Sequence, residues 1–334
     1  MNQVFFALLR SGLWERPLVA RELAAAAALD ETGWSEMLKL AREQAVPGLL
    51  YRAVTHLPAD FKRPDGYVLD LMAFAGGLAR ENQAKAVVTK QLYDECAAAG
   101  LHPVVMKGQS VAAYYAHPEL RTSGDIDLYF PPEEYPKALS LLGGDVAPDG
   151  SRHIRRSGID IDIHDRYFDL HCAADKLPAV GTPEATILLL SSHILKHAIG
   201  PGVGLRQCCD LAAAWRALAH SINATSMREV FRRTGTYRWN RLLFSFLAEY
   251  LDLPNTIFPD ERVSSKPLLR IILEGGNFGH FAKARSGALI AEERRRKRNT
   301  LSRFLHRLPF SLRYAPRETV ATVSSLILGN LSKE

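Results

Sequence analysis

The chain has 334 residues, 47% of them hydrophobic and 23% charged, a balance that excludes a disordered protein and allows a sizeable core in one large or two ordinary domains. Four cysteines, Cys96, Cys172, Cys208 and Cys209, are too few and too irregular for a disulfide framework, and the adjacent pair makes no zinc-type C-x-x-C, so they read as reduced thiols of a cytoplasmic protein. The net charge of +6 admits an anionic ligand without demanding one. No apolar run approaches the ~18 residues of a membrane span, and the opening "MNQVFFALLRSGLWERP" lacks the basic leader and cleavage site of a signal peptide.

Amphipathic spacing and alanine richness predict helices over the first 85 residues, with Asp30 or Thr32 as a cap and a break at Pro47-Gly48 before the apolar "LLYRAV". From Glu81 the pattern changes. "ENQAKAVVTKQLYDECAAAG" predicts a helix ending at Gly100, "HPVVMKG" a short strand ending in Lys107 and Gly108, and "QSVAAYYA" a further helical piece. "HPELRTSG" reads as a loop, "DIDLYF" as a strand, and "PPEEYPKALSLL" as a helix with prolines at its start. "SRHIRRSGIDIDIHD" alternates with period two on either side of Ser157-Gly158, which predicts a hairpin. From His171 the chain reads as helical, with "PEATILLLSSHILKHA", "LRQCCDLAAAWRALAH" and "ATVSSLILGNL" as its strongest segments. The expected fold class is α+β, a small mixed-sheet core at residues 86–170 between helical regions at 1–85 and 171–334.

The chemistry lies in "RTSGDIDLYF", Arg121 to Phe130. On a strand, residues two apart point to one face, so Asp125 and Asp127 would project together with Cα atoms roughly 6.6 Å apart. Carboxylates so spaced suit hard divalent cations, and a two-metal site clamps the oxygens of a phosphoryl transfer. In "GIDIDIHD" the isoleucines face one way and Asp160, Asp162 and His164 the other. A strand paired beside Asp125–Asp127 would therefore supply a third carboxylate, Asp162 or Asp160, to hold metal and accept the proton of an attacking hydroxyl. A D-x-D pair alone is more often a solvated strand face. The glycine before it and the separate strand–Lys107–Gly108–helix junction favour a phosphate site, with Lys107 adding charge and Ser110 a hydroxyl.

"VVMKGQSVAAYYAHPELRTSGDIDLYF" resembles the signature of the nucleotidyltransferase superfamily typified by DNA polymerase beta, and more closely a bacterial family of uncharacterised nucleotidyltransferases. "WSEMLKLAREQAVPGLLYRAV", "IDIHDRY", "SSHILKHAIGPGVGLRQCCDLA" and "LEGGNFG" resemble segments of the same family, extending the likeness over most of residues 30–280. The resemblance implies that Asp125, Asp127 and Asp162 hold two Mg2+ (or Mn2+) ions. Lys107, Gly108 and Ser110 would lie against a triphosphate such as ATP, bordered by Arg121, Ser123 and Gly124. An acceptor hydroxyl on a small molecule, peptide or protein would attack the α-phosphorus and release pyrophosphate. Many members carry adjacent Gly-Ser and a shorter spacer. Here Gln109 intervenes and sixteen residues separate Gly108 from Asp125.

Asp160, His164, Lys196, His197 and Arg206 are the candidates for supporting positions around that site. His193 and His197, four apart, share a helical face but lack the glutamate of a metalloprotease motif, so packed histidines are the plainer reading. Arg206 and Asp210 have the spacing of an ion pair. The basic run Arg294–Arg298 would suit RNA, and a second reading is nucleotide addition to RNA or tRNA; a third is a non-catalytic nucleotide-binding scaffold. Solvated basic helix is the default for that run, and "GGNFG" at Gly275–Gly279 reads as a tight loop.

Overall fold

The computed structural model describes residues 2–146, 152–200, 202–277 and 305–331. It is an α+β fold with a small mixed sheet set among helices, and the chain divides into two compact units. The first unit comprises Met1–Arg42 and Val46–Tyr167; the second comprises Glu43–Ala45 and Phe168–Glu334.

In the first unit, α1 (Asn2–Trp14), α2 (Ala20–Ala27), α3 (Glu31–Glu43) and α4 (Pro47–Thr55) come first. The Asp30 carboxylate accepts the Gly33 N–H at 2.8 Å and so caps α3, as expected of a short acidic side chain at a helix start. Pro47 opens α4 rather than ending a helix, and "LLYRAV" is helical. A Cβ on Gly12 would stand 1.8 Å from the Leu49 carbonyl oxygen, so glycine is what lets α1 lie against α4.

The long helix α5 (Asp65–Ala98) passes continuously through residue 85 and gives way at Gly100, whose φ of +66° suits glycine at a helix end. Its buried residues, Tyr67, Leu71, Ala75, Leu78, Lys85, Val88, Leu92 and Cys96, recur at helical spacing and form one stripe. Then follow β1 (Val104–Val105), α6 (Gln109–Ala112), β2 (Ile126–Tyr129), α7 (Tyr135–Leu142), β3 (Asp145–Val146), β4 (Arg152–Arg156) and β5 (Ile159–His164). The sheet order is β1-β2-β5-β4-β3. Only β2 and β5 run parallel; the other neighbours are antiparallel. β4 and β5 form the expected hairpin, closed by Ser157 (φ +51°) and Gly158 (φ +79°), two left-handed residues that match the twist of the strands.

One face of the sheet is covered by helices of the same unit. Ile126 and Leu128 of β2 and Phe130 just after it, with Ile161 and Ile163 of β5, bury against Val88, Leu92 and Cys96 of α5 and Ala138 and Leu142 of α7. This layer removes apolar area from water and fixes which way every strand side chain points.

The second unit is helical among its described residues: α8 (Pro183–Ile199), α9 (Leu205–Leu218), α10 (Ala224–Arg233), α11 (Tyr237–Leu251), α12 (Lys266–Gly275), α13 (305–314) and α14 (Pro316–Leu331). Thr182 caps α8 by accepting the Ala185 N–H at 3.2 Å. Phe231, Phe244 and Phe258 build an aromatic centre with rings about 6 Å apart. Among the described residues no helix is long and apolar enough to cross a membrane.

Candidate active site

The site begins with the register of β2 on β5. Their parallel pairing sets Asp127 opposite Asp162 and Tyr129 opposite His164, and residues so paired project from the same face. Because Ile161 and Ile163 are committed to the core, Asp160, Asp162 and His164 must face away from it. Asp127, Asp162 and His164 each offer a ligand atom within 4.8 Å of the other two. No other group of three His, Cys, Asp or Glu side chains comes together this way among the described residues.

Asp125 stands just before β2 and is exposed, whereas Asp127 is buried. The strand is therefore one residue shorter at its start than the D-x-D pattern suggests. Asp125 still acts on the cluster. Burial first, then the Asp125 carboxylate and more weakly Asp127, push Asp162 up to about 6, against the opposing pull of His153. Asp160, the other carboxylate of β5, is exposed and lies beside Arg155 at 3.4 Å.

Three basic side chains close on the acids. Lys107 Nζ lies 3.1 Å from Asp127 Oδ1, and His164 Nε2 lies 2.9 Å from the same oxygen. His153, carried opposite Asp162 by the hairpin, pairs with Asp162 through Nδ1. Lys107 arrives because the Met106 N–H donates to the Asp127 carbonyl at 3.1 Å, extending the contact of β1 with β2. Gly108 then turns with φ +66° and ψ −109°, and a Cβ there would lie 3.6 Å from the Asp125 carbonyl oxygen. Ser110 is exposed and donates to the Lys107 carbonyl at 3.4 Å. α6 has only four residues, so its aligned dipole is small.

The loop before β2 is held by α5. Asn82 Nδ2 donates to the carbonyls of Glu119 and Arg121, both at 2.8 Å, and Lys85 Nζ donates to Ser123 Oγ at 2.8 Å while pairing with Glu81. Arg121 is buried, and Ser123 and Gly124 complete the approach to Asp125. Thr89 on the same helix donates to Gln109 Oε1 at 2.6 Å, tying down α6.

The profile of a family described as uncharacterised nucleotidyltransferase matches residues 30–252. The chain belongs to that family. Searches of curated proteins and of solved structures find no match. The match covers α3 through α11 and so includes every residue of the acidic cluster of this nucleotidyltransferase; "LEGGNFG" lies beyond it. The donor set fits a divalent cation. It combines carboxylate oxygens with one imidazole, and a cation there would offset the burial and the carboxylate repulsion that raise Asp162.

The remaining sequence candidates of the nucleotidyltransferase lie in its second unit. Lys196 of α8 pairs with Asp169 at 2.8 Å, His193 Nδ1 lies 3.6 Å from the same carboxylate, and the His193 and His197 rings meet edge-on at 4.5 Å. Arg206 and Asp210, one turn apart on α9, are both buried. Gly275 ends α12 and Asn277 Oδ1 accepts from Gln207 at 2.9 Å; Phe278, Gly279 and the basic run Arg294–Arg298 lie outside the described residues.

Two residues around the site, Lys85 and His153, have sequence signals that the D-x-D motif overshadows. Lys85 occupies a core position of an apolar helical stripe, where an unpaired charge would be costly. His153 follows from the hairpin itself: a turn at Ser157-Gly158 places residues whose numbers sum to 315 opposite one another, hence 153 against 162.

Proposed function

We propose that this nucleotidyltransferase moves a nucleoside monophosphate from a triphosphate to a hydroxyl of a small molecule, peptide or protein, releasing pyrophosphate. The observation that carries the reading is the β2–β5 register, which sets Asp127 beside Asp162 with Lys107 paired to Asp127. In this reading residues 86–170 carry the chemistry, and regions 1–85 and 171–334 flank it in the chain.

Asp125, Asp127 and Asp162 are the metal-holding carboxylates, with Asp162 the third in preference to exposed Asp160. A bound divalent ion such as Mg2+ or Mn2+ would neutralise triphosphate charge and polarise the phosphoryl oxygens. Lys107 supplies a fixed positive charge to the phosphates, Gly108 lets the backbone approach them, and Ser110, Arg121, Ser123 and Gly124 border them. Asp162 is suited to take the proton of the acceptor hydroxyl as its oxygen bonds to the α-phosphorus and the bridging oxygen leaves with pyrophosphate. Catalysis then rests on positioning and charge neutralisation.

Calorimetry with ATP, GTP, CTP and UTP, each with and without Mg2+, tests the reading on wild type and Asp127→Ala. One triphosphate should bind in a metal-dependent manner, and the substitution should weaken it by about 100-fold, the scale of losing a buried charged partner. Metal-independent binding that survives Asp127→Ala would instead favour the scaffold reading.

A further inference from the structure

The acidic cluster has two chemically different ends. Asp125, just before β2, offers carboxylate oxygens only. Toward the end of β5 the set is Asp127, Asp162 and His164, which includes an imidazole nitrogen. Mg2+ takes oxygen ligands and gives up its waters reluctantly, whereas imidazole nitrogen favours first-row transition ions. An oxygen-only cluster of equal charge would discriminate less between them.

His164 is placed for more than filling space. It is half-buried, its Nε2 points at Asp127 Oδ1 from 2.9 Å, and strand register locks it two residues beyond Asp162 on the same face. Ile163 is fully buried, so the backbone on that side cannot turn His164 away without exposing core. The same nitrogen that meets Asp127 can therefore join the Asp127 and Asp162 oxygens around one ion.

We infer that His164 is a direct metal ligand and that Asp127, Asp162 and His164 form a site selective for a first-row transition dication, Mn2+ among them, over Mg2+. The inference rests on reading the cluster as a metal-dependent transfer centre, and it adds an ion preference that the three carboxylates alone do not imply. The alternative role for His164 is to orient Asp127 by hydrogen bonding while staying off the metal.

Direct metal binding separates the two roles. Full-length protein is titrated with Mn2+ in the absence of nucleotide, following free Mn2+ by electron paramagnetic resonance and competing with Mg2+. Pulsed measurement of the bound Mn2+ then detects coupling to a 14N nucleus. Wild type should show 14N coupling that persists in His153→Gln and vanishes in His164→Asp. The Mn2+ over Mg2+ preference should fall by about tenfold or more in His164→Asp, the order expected when an oxygen replaces a nitrogen donor. Absence of 14N coupling in wild type, its loss in His153→Gln instead, or an unchanged ion preference in His164→Asp would overturn the inference. Circular dichroism checks the fold of each variant, and His164→Asn replaces His164→Asp where the latter fails that check. Because no nucleotide is present, the two readings fail separately. A 14N-coupled Mn2+ site with no triphosphate binding would reject the transferase reading alone. Mg2+-dependent triphosphate binding without 14N coupling would reject this inference alone.

Discussion

β5 carries two regions of unlike physics on one strand. Ile161 and Ile163 are fully buried in the layer formed with α5 and α7, while Asp162 and His164, alternating with them, remain partly open among Lys107, His153 and Asp127. The covered face is held by burial of apolar area, a non-directional force that specifies register because a slip of one residue would bury the carboxylates. On the open face the contacts are directional ion pairs, Lys107 and His164 on Asp127 and His153 on Asp162, set among carboxylates that repel one another. Chemistry on this sheet is positioned by the side that takes no part in it.

The sharpest way to break the comparison is on the covered face. Ile163→Ala should lower the unfolding free energy by about 2–5 kcal/mol, read from urea denaturation, by removing methyl groups from a site with no water access. Nucleotide binding should decline only as far as the folded fraction or the β5 register does. Lys85→Met comes next. It keeps the apolar stripe of α5 but removes the donor to Ser123, so triphosphate affinity should drop by about tenfold, in line with loss of one charge-assisted hydrogen bond. The melting temperature should change far less than in Ile163→Ala.

A smaller effect of opposite sign tests the open face. Asp162 has its folded pKa raised from 3.8 to about 6, so the folded state binds its proton more tightly than the unfolded chain. That contribution to stability is complete below about pH 4 and is lost as pH rises through about 6. Asp162→Asn should therefore stabilise the metal-free protein at pH 7.5 by about 1 kcal/mol after allowance for solvent screening. The gain should vanish at pH 4, as paired thermal melts at the two values would reveal. Asp160→Asn marks the lower bound: its carboxylate is exposed beside Arg155, and removing it should move stability by less than about 0.5 kcal/mol.

Much of this arrangement is legible from the residues. Period-two alternation around Ser157-Gly158 identifies the hairpin, D-x-D followed by apolar residues identifies β2, and Gly100 marks the end of α5. These signals are local, and local rules govern turns, caps and strand faces. What is not legible has physical reasons too. β3 spans two residues, too few for any period to register, and Pro47 serves equally well as a helix start or a break. The pairing of β2 with β5 is the step that brings Asp127 to Asp162, and it joins segments about 35 residues apart through tertiary packing that no short window contains. Lys85 is the intermediate case. Its helical phase is local, but its partner Ser123 is not.

The turn at Ser157-Gly158 has a consequence for how this site could diverge among related chains. A register shift of two residues there would keep the faces of both strands and bring Arg155, not His153, across from Asp162, whereas a shift of one would turn Ile154 out of the core. The charge around the third carboxylate could thus be rewritten by a change in loop length, with every acidic side chain retained and no substitution within the site.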